Sequence, residues 1–247
     1  MIDHRHNYGI IIDTETANDL IDNLPYDFGF AVIDTKGNVY ETFSFVNADI
    51  FIGEKELMKS AYFAEKIPQY WEDIQQGKRV LTSTYNIRKT LLDTIAKYDC
   101  QFICAHNASF DKRACNNIQR WTTKSKYRWF LPYHLEWWDT MKMARDVILP
   151  MPTYQKFCLE NGFMTNHSTP RPRLTAEVLY KFIIKDVDFV EEHTALEDVL
   201  IEAEILKYCM RQHKKMRKGL YEKWTNWVHF SFARAAVKLH KKVFLFC

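Results

Sequence analysis

The chain lacks any apolar run near the about 18 residues that a membrane-crossing helix requires, and it shows no internal repeat. A membrane span and a solenoid are therefore not expected. None of the six cysteines (Cys100, Cys104, Cys115, Cys158, Cys209 and Cys247) forms a C-x-x-C pair, and most sit in apolar surroundings. This favours buried free thiols over zinc ligands or disulfides. The first residues, Met1-Ile-Asp-His-Arg-His6, contain no apolar core of a secretory signal, so a cytoplasmic location is the expectation. What remains is an ordinary globular composition: 247 residues, 47% hydrophobic, net charge +3.

The informative residues are acidic. Ile10, Ile11 and Ile12 make a short β-branched run, the pattern of a strand covered on both faces, and Asp13 ends it in Tyr8-Gly-Ile-Ile-Ile-Asp-Thr-Glu-Thr16. Residues i and i+2 of a strand share a face, so Asp13 and Glu15 project together while Thr14 points away. Two adjacent carboxylates repel unless neutralised, and a hard cation such as Mg²⁺ does this with one or two carboxylates plus substrate phosphates. By itself, Asp-x-Glu is short and common enough to be only a solvated strand end.

A second motif, Ala105-His-Asn-Ala-Ser-Phe-Asp111, follows the short strand 101–105 and opens a helix with Ser109 near its start. Asp111 in a first turn also suits the helix dipole. Asn107 and Phe110 beside it can hold a sugar-phosphate and stack a base, although an aromatic there serves a core equally well. The third motif is Glu192-His-Thr-Ala-Leu-Glu-Asp198. Thr194 and Glu197 match a capping box, which starts a helix at Ala195 and makes His193 and Asp198 the N′ and N4 residues. These two positions meet in space, so an imidazole is brought to a carboxylate. A histidine there can take a proton from an attacking water, or can be an exposed capping-region residue.

With these motifs, the chain resembles the DEDDh 3′-to-5′ exonucleases, the family of the proofreading epsilon subunit of bacterial DNA polymerase III, ribonuclease T and oligoribonuclease. Asp13-Thr-Glu15, Asn107 through Phe110 to Asp111, and His193 to Asp198 fit its three motifs, and the segment from Asp139 to Arg145 fits the strand-to-helix piece between the second and third. Thr194 stands where the sister class carries Tyr, which favours the histidine subclass. The resemblance spans roughly residues 8 to 210 and implies an α/β, ribonuclease H-like mixed sheet flanked by helices. It also implies two divalent cations, Mg²⁺ or Mn²⁺, held by Asp13, Glu15, Asp111 and Asp198, with His193 as general base. Thr16 would lie near the terminal nucleotide. The implied activity is release of nucleoside 5′-monophosphates from the 3′ end of single-stranded or frayed DNA. An exoribonuclease, or a non-catalytic nucleic-acid or polymerase-binding module on the same fold, are the alternatives.

Element order agrees with that fold. Residues 28–34 and 39–46 read as strands of a hairpin about the turn Thr35-Lys-Gly-Asn38, and helices then alternate with short strands. Residues 77–84 and 166–173 read as loops, with Arg171 and Arg173 as candidate phosphate contacts.

The resemblance implies an exonuclease domain, 1–210, and charge sets apart a basic, aromatic-rich helical extension, 211–247. From Lys207 onward there are eleven Lys or Arg and a single acid, against 23 and 30 in the remainder. Trp224, Trp227, Val228, Ser231, Ala235 and Leu239 recur at helical spacing. That face can pack on its own domain, clamp nucleic acid, or meet a protein partner such as a polymerase.

Overall fold

A computed structural model describes residues 2–3, 5–17 and 22–221. The helical expectation for Trp224 to Leu239 lies outside the described residues, as does Cys247; the other five cysteines are free and buried.

Three strands open the domain: β1 (Tyr8–Ala17), β2 (Leu24–Asp34) and β3 (Val39–Asn47), joined as antiparallel neighbours. The turn after β2 is stabilised by Asp34, whose carboxylate accepts from the Lys36 and Asn38 N–H groups, while Gly37 takes φ +78°. Short helices α1 (Ala48–Phe51) and α2 (Lys55–Lys59), a 3₁₀ turn (Ala64–Lys66) and α3 (Ile67–Gln75) follow. Then come β4 (Val80–Thr82), α4 (Thr84–Tyr98), β5 (Phe102–Ala105), α5 (Ser109–Thr123), β6 (Glu136–Asp139) and α6 (Thr140–Val147). Three helices complete the described chain, α7 (Pro152–Glu160), α8 (Ala176–Ile184) and α9 (Ala195–Arg211).

The strands form one mixed sheet in the order β4-β3-β2-β1-β5-β6, with β5 parallel to β1, β6 parallel to β5 and β4 parallel to β3. The expected arrangement, a mixed α/β sheet flanked by helices, is the one observed. Residues 77–84 are not all loop, however. Val80, Leu81 and Thr82 pair with Phe45, Val46 and Asn47 to form the sheet edge. A three-residue strand carries too little alternation to show as a period in the sequence.

Each face of the sheet has its own apolar layer. Ile10 and Ile12 join Phe28, Phe30, Ile103 and Ile118 on one side, and Ile11 joins Ala31, Ile33, Val199, Ile205 and Leu206 on the other. The unbroken Ile run at 10–12 follows from this, because alternate side chains enter opposite cores. α9 lies over the second face, where it meets β2 at Gly29. A Cβ on Gly29 would stand 2.2 Å from the Ala195 carbonyl carbon, so only glycine lets the first turn of α9 come this close. Gly29 pairs with Asp13, which places the start of α9 directly over the strand-end acid.

Residues beyond α9 return to the sheet. Asp139 N–H donates to the Lys218 carbonyl (2.9 Å), Leu220 N–H donates to that of Trp137 (2.6 Å), and Trp138 bridges Gly219 in antiparallel fashion. Arg217 holds the Asp146 carboxylate at 2.6 Å. Residues 218–220 thus lie along β6.

Candidate active site

The carboxyl end of β1 is the meeting point of the three motifs. Carboxylate oxygens of Asp13, Glu15 and Asp198 all lie within 4.8 Å of one another. Asp13 and Glu15 share the α9 side of the strand, as the two-residue period requires, and the pairing with β2 shifts register between Glu15 and Thr16, just beyond them. Thr14 takes the opposite face. There its hydroxyl donates to Asp111 Oδ1 at 2.9 Å, so a residue expected only to point away instead positions the second-motif acid. Asp111 is 1% exposed and adds to the negative field on Asp13 across the sheet end.

Burial and mutual repulsion move the acidities of this cluster. Burial, with further negative charge around it, raises Asp13 well above the usual carboxylate range. For the same first cause Glu15 is pushed up to about 8, Asp198 to about 9 and Asp111 to about 7. Asp198 Oδ1 is buried and accepts no hydrogen bond. Buried and half-buried acids crowded together with an orphaned oxygen are the donor set a divalent ion completes, and all-oxygen ligands fit Mg²⁺ or Mn²⁺.

A pH-dependent stability follows. In the unfolded chain these carboxyls titrate near 4, so between that pH and their raised folded values the native state binds more protons. Metal-free protein is therefore expected to lose stability as pH rises from about 5 to 9, with Mn²⁺ or Mg²⁺ restoring the thermal midpoint at pH 8. A midpoint flat across that range, or one indifferent to both ions, would remove the cluster as a metal site.

The third motif starts a helix at Ala195 as its residues require, but the cap differs from a capping box. Thr194 Oγ1 donates to Glu197 Oε2 (2.8 Å), while the Ala195 N–H is taken by Asp27 Oδ2 from β2 (3.0 Å). Asp27 is buried and held by the Tyr70 hydroxyl at 2.7 Å and by Arg79 at 3.1 Å, and Arg79 in turn holds Asp73. Gly29 lets the helix descend far enough for a strand carboxylate to replace the local cap. α9 is thereby tied to the strand that borders Asp13, which holds Asp198 in place.

His193 does meet Asp198, within 4.8 Å, and both meet Glu191. Glu191 Oε2 lies 3.5 Å from His193 Nδ1 and is 8% exposed as a side chain, whereas the imidazole keeps 41% of its surface open. His193 has φ +50°, its ring stacks on Phe63 at 4.8 Å and 15°, and Lys66 Nζ donates to the Glu192 carbonyl. The segment between α2 and α3 thus braces His193. Two acids of the site, Glu191 and Glu202, were not expected from the motifs. Glu202 is 2% exposed, with an oxygen that has no hydrogen-bond partner, and burial plus Asp111 and Asp198 raise its pKa well above the usual carboxylate range. Its sequence signal is the i, i+4 spacing from Asp198, one turn on the same helix face.

The remaining expectations can be located. Asn107 is exposed with φ +59° and accepts from Ser109 Oγ; its N–H donates to Asp139, which also caps α6. Phe110 is half-buried in the first turn of α5, and Thr16 is half-buried at the bulge. Arg171 and Arg173 sit in a loop clipped by a Met164–Pro172 bridge. No helix among the described residues is long and apolar enough to cross a membrane.

No protein-family model matches the sequence, and neither does any curated protein. Solved structures do match. E. coli exonuclease I in complex with a dT13 oligonucleotide superposes over 84% of this chain and 41% of its own, at 15% identity and a TM-score of 0.51. The chain shares its fold with exonuclease I. The zinc-bound form of the E. coli exonuclease I complex with single-stranded DNA matches over the same shares, at 15% identity and a TM-score of 0.50. This chain spans about two fifths of the exonuclease I chain, so the likeness concerns the ribonuclease H-like sheet and its helices.

Proposed function

We propose that this chain is a metal-dependent 3′-to-5′ exonuclease of the DEDDh type, which hydrolyses single-stranded or frayed DNA to nucleoside 5′-monophosphates. The observation that carries the proposal is the convergence of Asp13, Glu15 and Asp198 within 4.8 Å, with His193 against Asp198. The reading joins that convergence to the exonuclease I fold and the order of the three motifs. In it, Asp13, Glu15, Asp198 and Asp111 hold two Mg²⁺ or Mn²⁺ ions, Asn107, Phe110 and Thr16 face the terminal nucleotide, and residues 1–210 carry the activity.

When bound, the ions supply positive charge to the attacking and leaving oxygens of an in-line displacement. The protein does the rest. Glu191 engages His193 Nδ1 and leaves Nε2 to accept the proton of the attacking water, while Phe63 keeps the ring plane fixed. Thr14 holds Asp111 by its hydroxyl, and the tie of α9 to Asp27 holds Asp198.

The test is digestion of matched DNA and RNA oligonucleotides, labelled at either end, with Mg²⁺ or EDTA. Stepwise loss of a 3′ label with Mg²⁺ alone is expected, faster on DNA. Faster RNA trimming would reassign the substrate, and retention of both labels with intact binding would make the chain a binding module.

A further inference from the structure

The exposed side of α5 forms one wall of a cleft of about 440 Å³. Ser109, Lys112, Arg113 and Arg120 line it from the helix, and Trp129 and Tyr221 line it from the facing segments. The helical residues recur at i, i+3, i+4 and i+11, a single stripe that starts beside Asn107 and the buried Asp111 and runs away from the acid cluster. At about 1.5 Å per residue the stripe is about 16 Å long, room for roughly five phosphates at the ~3.4 Å per-strand spacing of stacked DNA.

Its chemistry is of one kind. No acidic side chain lines the cleft. Instead the cations lie over rings: Arg113 over Phe110 at 5.9 Å, Arg120 over Trp129 at 5.9 Å and Lys112 over Tyr221 at 4.7 Å. Trp129 and Tyr221 keep 42% and 75% of their surface exposed. Cations along a helix for phosphates, with open aromatic faces for bases, suit a single strand read without regard to sequence. An acidic peptide would match the charge but would leave the rings without a planar partner. The chain's own continuation past Tyr221 carries five Lys or Arg and one acid, the same sign as the cleft, and is a poor occupant.

We propose that this cleft binds the single-stranded segment on the 5′ side of the scissile nucleotide, and so makes the protein favour strands several nucleotides long over very short ones. The proposal rests on the exonuclease reading for its direction and on the cleft alone for its binding. The α5 helix links the two, since its first turn carries Phe110 and Asp111 and its stripe carries the strand outward.

The test uses the full chain with Arg113→Gln, Arg120→Gln and Trp129→Ala combined, all at exposed positions. Binding of fluorescein-labelled dT12 is measured in EDTA, and Mg²⁺-dependent hydrolysis of dT3 and dT12 is measured separately. Affinity for dT12 should fall at least about thirtyfold, and the slope of log affinity on log salt should flatten by about 1.4, or about 0.7 for each of two phosphate contacts. Hydrolysis of dT3 and the thermal midpoint should not change. Parental dT12 affinity and salt slope in the variant would overturn the proposal, as would equal losses on dT3 and dT12. If the parent binds dT12 through the cleft yet hydrolyses neither strand, the cleft stands and the exonuclease reading falls.

Discussion

Asp13→Asn is expected to abolish hydrolysis and, without metal, to raise the thermal midpoint at pH 8. Asp13 has Glu15 and Asp198 within 4.8 Å, and Asp111 and Glu202 add to the charge around it. Losing a carboxylate that would hold metal would remove several kcal/mol of transition-state stabilisation, and ~4 kcal/mol is about 10³ in rate. The stability change has the opposite sign. Because the folded pKa of Asp13 is raised, the wild-type protein loses stability as pH climbs from the unfolded to the folded value, whereas an amide has no proton to lose. A gain of about 1 kcal/mol corresponds to about 2–4 °C for a domain this size. The gain should shrink as pH falls and vanish only below about pH 4, where the carboxyl is protonated in the folded and the unfolded state alike. Turnover and midpoint are measured on the same preparations, and activity within tenfold of the parent would refute the metal-site assignment.

His193→Ala is expected to lower single-turnover hydrolysis by about 10² to 10⁴, the range for loss of a general base, with little change in oligonucleotide affinity. The imidazole is open on one side and braced on the others by Glu191 and Phe63, and it stands beside Asp198 without belonging to the Asp13, Glu15 and Asp198 group. Thermal stabilisation by Mn²⁺ should therefore survive the substitution. Glu191→Gln should give a smaller rate loss, since an amide can still accept from Nδ1. Collapse of affinity with an unchanged single-turnover rate would make His193 a binding residue.

Much of the site was legible because its signals are local. Three consecutive isoleucines ending in Asp13 specify a strand buried on both faces, and the two-residue period puts Glu15 beside Asp13. The N′ to N4 relation in the third motif brings His193 to Asp198 before any tertiary contact is known. The hairpin about Thr35 to Asn38 is likewise a short-range device, anchored by Asp34.

What escaped the sequence was nonlocal. Thr14 looked idle because strand alternation says only that it faces away from Asp13, not that α5 delivers Asp111 to that face. Asp27 carries no local mark of a helix cap, since the helix it caps begins 168 residues later. β4 is three residues long and owes its pairing to β3, and the run at 217–220 owes its extended path to β6.

By itself, then, the sequence determined the opening strands and their hairpin, the helix that starts at Ala195, the strand-end acid pair, the histidine-acid contact and the residues of the three motifs, since each depends on neighbours within a few positions. Only the tertiary structure decided the strand order, the approach of α9 over Gly29, the bracing of His193 by Glu191 and Phe63, and the cleft along α5. Periodicity records which face of an element is apolar. It does not record which distant element covers that face, and here those partners set the distances between the acids.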